Sequence, residues 1–97
     1  MILIEARDRL RALQLTDSQL DFSVKWLGMG PSYMSCVLAR NLQPSAEALL
    51  TLGSRLTRQL SRMRQCHRHA EAAMLDDLNA RVWEELMARY AAQPEAT

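Results

Sequence analysis

The run Cys66-His67-Arg68-His69 carries the densest chemistry in the chain, a thiol and two imidazoles within one helical turn. Residues three apart share a helical face, so Cys66 and His69 could point at one ion. A structural zinc site needs about four ligands, and the other cysteine, Cys36, falls on a different predicted helix. No metal or other cofactor is expected. The carboxylate pairs Asp76-Asp77 and Glu84-Glu85 lie in a polar stretch with nothing to desolvate them, and no Ser, His and Asp fall into a nucleophile–base pattern. An enzyme is not expected. Arg55, Arg58, Arg62, Arg64 and Arg68 form the strongest basic cluster, with no acid between them. They suit phosphate contacts with a steep salt dependence, or equally a solvated face or ion pairs with an acidic segment.

The elements that must position these side chains are read from composition and periodicity. The chain has 97 residues, 48% hydrophobic and 24% charged, with three Gly and three Pro, the make-up of a folded helical domain. Residues 1–70 hold ten Lys/Arg against five Asp/Glu, whereas the remainder holds two against six. That asymmetry suits a polyanion partner for the first part and charge pairing, within the chain or with a second copy, for the last. No apolar run is long enough to span a membrane, and Met1-Ile2-Leu3-Ile4 meets Glu5 and Arg7 at once, unlike a signal sequence. A cytoplasmic, nucleoid-associated location is expected. Cys36 and Cys66 imply no disulfide framework.

Leu3, Ala6, Leu10 and Leu13 recur at helical steps and predict a first amphipathic helix. Thr16-Asp17-Ser18-Gln19 reads as a capping box, with Thr16 accepting from the Gln19 N–H. A second helix then runs from about Asp17 to Leu27, burying some of Leu20, Phe22, Val24, Trp26 and Leu27. Gly28 can close it in the left-handed region, and Gly30 can cap a third helix from Pro31 to about Ala39. Met34, Val37 and Leu38 would face inward, and Pro31, Ser32, Ser35, Cys36 and Ala39 outward. Asn41 can end that helix, and Ser45 caps a fourth carrying Leu49, Leu50, Leu52 and Leu56.

The segment Ser54–Gln93 has no Gly or Pro. Leu56, Leu60, Met63, His67, Ala70 and Met74 repeat like a coiled-coil seam, and Leu78, Val82, Leu86 and Tyr90 follow at steps of four beside Trp83 and Met87. The change of phase predicts a break near Met74–Asp77 or a rotated face. An unbroken helix of about 35 residues would be about 50 Å long and could not cover its own seam. Homodimerisation through Leu60, Met63, Met74, Leu78, Val82, Trp83, Leu86 and Tyr90 is the expected remedy. Pro94–Thr97 reads as a frayed tail.

A tight glycine turn between two short helices is how a helix-turn-helix aims its second helix at the major groove. The run Gly28–Leu56 resembles, without a gap, the second half of the Cro/CI-type (lambda repressor-like, XRE) helix-turn-helix domain. The matching elements are Gly28-Met29 in the turn, Ser32-Tyr33-Met34-Ser35 with Val37, and Pro44-Ser45-Ala46-Glu47-Ala48-Leu49-Leu50. Upstream, Ser18-Gln19-Leu20-Asp21-Phe22-Ser23 is similar to the family's opening of helix 2 when one extra residue is allowed near Trp26. The resemblance implies an all-α fold, a four-helix N-terminal domain (1–56) followed by a long helix or helical hairpin (57–93). It implies a phosphate contact at Gln19, base-edge positions at Pro31, Ser32, Tyr33, Ser35 and Cys36, and backbone contacts at Arg40 and Asn41. The implied partner is double-stranded DNA, bound by a homodimeric regulator, usually a repressor, on an inverted repeat. The outward face lacks the Arg, Lys, Asn and Gln that pair with bases, so readout would lean on thymine methyls, hydroxyls and DNA shape. The alternative is a non-enzymatic interaction module, an adaptor or anti-activator, whose C-terminal helix binds a protein partner.

Overall fold

The computed structural model describes residues 1–92, and every regular element among them is helical, in agreement with the all-α expectation. Gln93 and the tail read as frayed, 94–97, lie outside the described residues. The order is α1 (Ile2–Ala12), α2 (Gln19–Asp21) continuing into a π segment (Phe22–Trp26), α3 (Tyr33–Ala39), α4 (Ala46–Gln65) and α5 (His69–Ala92).

Helix α1 forms on the predicted stripe, with Leu3, Ala6 and Leu10 fully buried. The cap ahead of α2 differs from the predicted one. Ser18 Oγ accepts from the Asp21 N–H at 3.0 Å, while Thr16 Oγ1 donates to the Asp21 carboxylate at 2.6 Å. Thr16 thus holds the capping loop from the side, and Gln19 is released for contacts elsewhere. The α-helical ladder then widens. Leu27 N–H donates to Phe22 O at 3.2 Å and Met29 N–H to Ser23 O at 3.0 Å, so this turn holds more residues than an α-turn. The widening lets Phe22, Ser23, Trp26 and Leu27 all reach the interior, at the expense of Leu20 and Val24, which stand exposed.

Gly28 closes the segment at φ 65°, and a side chain there would also press on the Thr51 methyl at 3.1 Å. Helix α3 begins two residues later than predicted. Pro31 and Ser32 form a turn, and the carbonyl of Gly30, which was expected to be the cap, accepts from the Tyr33 N–H at 3.0 Å. Met34 and Val37 are buried, but Leu38 is exposed. Ser45 caps α4 as expected, accepting from the Ala48 N–H at 3.1 Å; Leu49, Leu52 and Leu56 are buried, whereas Leu50 is not.

The long C-terminal segment is a hairpin. Its break lies at Cys66–Arg68, not near Met74–Asp77, and it is made by His67 at φ 58°. Arg68 N–H donates back to Met63 O at 2.8 Å and His67 N–H to Arg64 O at 3.2 Å, a Schellman end in which histidine takes the usual glycine position. Helix α5 returns along α4: Asn79 Nδ2 donates to Thr57 Oγ1 at 3.2 Å, and the Trp83 ring lies over Gly53, where a Cβ would fall 2.7 Å from the indole. Glycine at 53 is what lets the two helices come this close.

The seam assigned to a second copy is therefore filled by the chain itself. Leu60, Met63, Leu78, Val82 and Leu86 are buried in the single chain's core, Trp83 packs against it, and Met74 and Tyr90 are exposed. The five buried residues are turned into the chain's own core and do not form the dimer seam expected at these positions. The expected boundary at residue 56 falls inside α4, and one continuous core joins Leu3 of α1 to Leu86 of α5. The charge asymmetry resolves in the same way. Arg9 Nη1 reaches Asp77 at 3.2 Å and Met74 O at 3.0 Å, Arg81 bridges Glu5 at 2.5 Å and Asp77 at 3.5 Å, and Arg64 meets Asp76 at 3.4 Å. Arg9 and Arg64 thus pair with acids of the last helix inside one chain, and Arg81 of that helix returns a pair to Glu5 of α1.

Candidate nucleic-acid interface

The face built by α2, the turn and α3 begins with a fixed frame. Ser23, fully buried, donates its hydroxyl to Gln19 O at 3.0 Å and accepts from the Met34 N–H at 3.1 Å. One oxygen thus sets the angle between the two short helices. Arg55 of α4 braces the far end of the π segment, donating through Nη1 to the carbonyls of Val24 (3.1 Å) and Lys25. Those carbonyls lie at a helix C-terminus, where a cation is favoured. Arg55 is therefore a structural cap, not a free phosphate contact.

On this frame Pro31, Ser32, Ser35 and Cys36 are all exposed, and the Cys36 thiol is free. Gln19, half-buried, donates from Nε2 to Ser35 Oγ at 3.0 Å and accepts at Oε1 from Arg7 Nη1 at 2.8 Å. Arg7 is held in turn by Asp8 at 3.1 Å. This chain brings a cation of α1 to the edge of the α3 face. Arg7 was missed from the sequence because its only signal is a charge on an amphipathic helix, and nothing local links it to residue 19.

Tyr33 sits differently from its assignment. Its phenol oxygen accepts from the Ser45 N–H at 3.0 Å and lies 3.4 Å from Ser45 Oγ. The hydroxyl ties α3 to the start of α4 and is not free to read a base. Arg40 and Asn41 follow α3 in an exposed turn, Asn41 at φ 50°, with Leu42 N–H donating back to Val37 O at 3.0 Å. At the corner between α4 and α5, the His67 and His69 rings meet edge-on at 5.9 Å beside an exposed Cys66. Among the described residues no three His, Cys, Asp or Glu side chains come together to hold a metal ion. Nor is any helix among the described residues long and apolar enough to cross a membrane.

A family model described as a family of unknown function, DUF6626, matches residues 3–95. The chain belongs to the DUF6626 family. Because the match runs from α1 through α5, the DUF6626 unit takes in the hairpin as well as the α2–α3 face. No curated protein and no solved structure matches this DUF6626 chain.

Proposed function

We propose that this chain is a small DNA-binding transcriptional regulator of the helix-turn-helix kind, with α2 and the π segment as the first motif helix and α3 as the recognition helix. The observation that carries the reading is the outward row of Pro31 and Ser32 in the turn and Ser35 and Cys36 on α3, a helix anchored by Ser23 and flanked by Arg7 and Arg40. Small hydroxyl side chains let a helix approach base edges closely, and flanking cations hold phosphates. The π segment supports it as well: it stores extra backbone at Phe22–Trp26, where the resemblance to Cro/CI-type domains requires one additional residue. Gln19, tied to Ser35, stands where a phosphate contact is expected. Repression of transcription from an inverted-repeat operator, with two copies placed about 34 Å apart, is the arrangement the resemblance favours. The copies would meet outside the α4–α5 seam.

The test is a gel-shift titration of the chain against its own upstream region at two salt concentrations. A sequence-preferring shift that weakens with salt is expected. Ser32→Glu with Ser35→Glu should lower affinity about a hundredfold by setting two carboxylates against phosphates, with helicity by circular dichroism unchanged. The absence of any salt-sensitive, sequence-preferring shift defeats the reading. One observation favours a second: Met87 and Tyr90 are exposed one helical turn apart on α5, as in a helix that docks on another protein. An adaptor or anti-activator would then retain its partner when Ser32 and Ser35 are replaced.

A further inference from the structure

We propose that the cleft between the π segment and α4 is a binding site for a pyrophosphate-bearing small molecule. The cleft has a volume of about 330 Å³ and is lined by Lys25, Arg55, Arg58, Gln59 and Arg62 over Leu15 and Trp26. No acidic side chain among the described residues lines it. The five arginines that form one run in the sequence have separate fates in the fold. Arg64 and Arg68 are paired with Asp76 and Glu71, and Arg55 caps backbone carbonyls. Arg58, Arg62 and Lys25 have no ion-pair partner among the described residues, and all three are exposed at the cleft.

Arg58 and Arg62 stand one turn apart on one face of α4, so two like charges are stacked without an acidic neighbour, while Arg55, a further turn back, is engaged in capping the Val24 and Lys25 carbonyls. Lys25 adds a third free cation from the facing wall. Such a set is satisfied by a compact anion of several charges. Guanidinium groups bind phosphoryl oxygens through paired N–H donors, and two on successive turns can bracket two linked phosphoryl groups. The Trp26 indole, fixed by its Nε1 donating to Leu15 O at 3.4 Å, and Leu15 itself give the cleft an apolar floor. The site lies at the C-terminal end of the π segment, about 9 Å along the helix from Gln19, and does not depend on the DNA reading.

Isothermal titration of the full chain with inorganic pyrophosphate and with ADP tests the assignment. Saturable binding of at least one probe is expected, weakened about tenfold or more in Arg58→Gln/Arg62→Gln and in Lys25→Gln, but within about twofold of the parent in Arg64→Gln/Arg68→Gln. The last variant removes the same charge from the end of α4 and the turn after it, outside the cleft. Tighter binding of ADP than of pyrophosphate assigns a nucleotide whose nucleoside adds contacts of its own at the cleft; equal binding assigns the pyrophosphate group alone. Lack of saturation with both probes, or equal weakening in the two arginine double variants, overturns the proposal. Lys25→Gln, on a different element, decides the matter should the α4 variants fail to fold.

Discussion

Ser23 is the position at which one atom does most to set the candidate interface. Its hydroxyl supplies the partner for the Met34 N–H in a fully buried setting, where an unpaired donor is costly. Ser23→Ala keeps the volume nearly unchanged and leaves that N–H unsatisfied, so it should destabilise the fold by about 1–3 kcal/mol. Urea unfolding with an unchanged m-value checks this, and a loss below about 0.5 kcal/mol would mean that the N–H finds another partner. The sequence marks Ser23 only as a small residue in a motif; its bond to residue 34 depends on how two helices cross. The outward placement of Ser32, Ser35 and Cys36 was legible because helical spacing from a glycine turn fixes which side chains face solvent, whereas Gln19 was singled out only by the resemblance. Tyr33 was misread because a helical wheel cannot show that a phenol will find the N–H of Ser45, twelve residues on.

At the level of elements, three helices end by the same device with three different residues. Gln14, Asn41 and His67 all take positive φ, and in each case the following residue donates back to the last turn: Leu15 to Leu10 O, Leu42 to Val37 O and Arg68 to Met63 O. Only Asn41 carried a recognisable stop signal. Histidine is tolerated in the left-handed region better than most residues, but no sequence rule ends a helix at a lone histidine in a Gly- and Pro-free run. Periodicity was misleading there too. The apparent seam continued through Ala70 and Met74, both exposed, whereas the buried face of α5 starts anew at Ala72 and Leu75. His67→Gly should relieve the left-handed strain and raise stability by about 1 kcal/mol, less a few tenths from the freer unfolded chain. A thermal melt of the full chain measures it; a lower melting temperature would show that the imidazole itself contributes at the corner.

For the whole molecule the question is whether the first four helices stand without the fifth. The side chains Leu52, Leu56, Leu60 and Met63 run down one side of α4, and Leu75, Leu78, Val82 and Leu86 of α5 share their core. Fully burying a side chain of this kind contributes about 1.5–3 kcal/mol, so the four from α5 alone contribute about 6–12 kcal/mol. Domains of this size are stable by about 5–15 kcal/mol in total, and burial estimates from an extended unfolded chain run high. Removing α5 thus takes away an amount comparable to the whole margin, and it uncovers an apolar stripe on α4. A fragment ending at Gln65 should show no cooperative thermal transition by circular dichroism, and Leu78→Asp in the full chain should abolish folding. The two outcomes discriminate between architectures. A seam reserved for a second copy would let the fragment melt cooperatively and would let Leu78→Asp fold as a particle of smaller solution mass. A seam closed within one chain predicts loss of the fold in both, with the α2–α3 face lost alongside it, because Arg55, which braces the π segment from α4, sits on the helix that α5 covers.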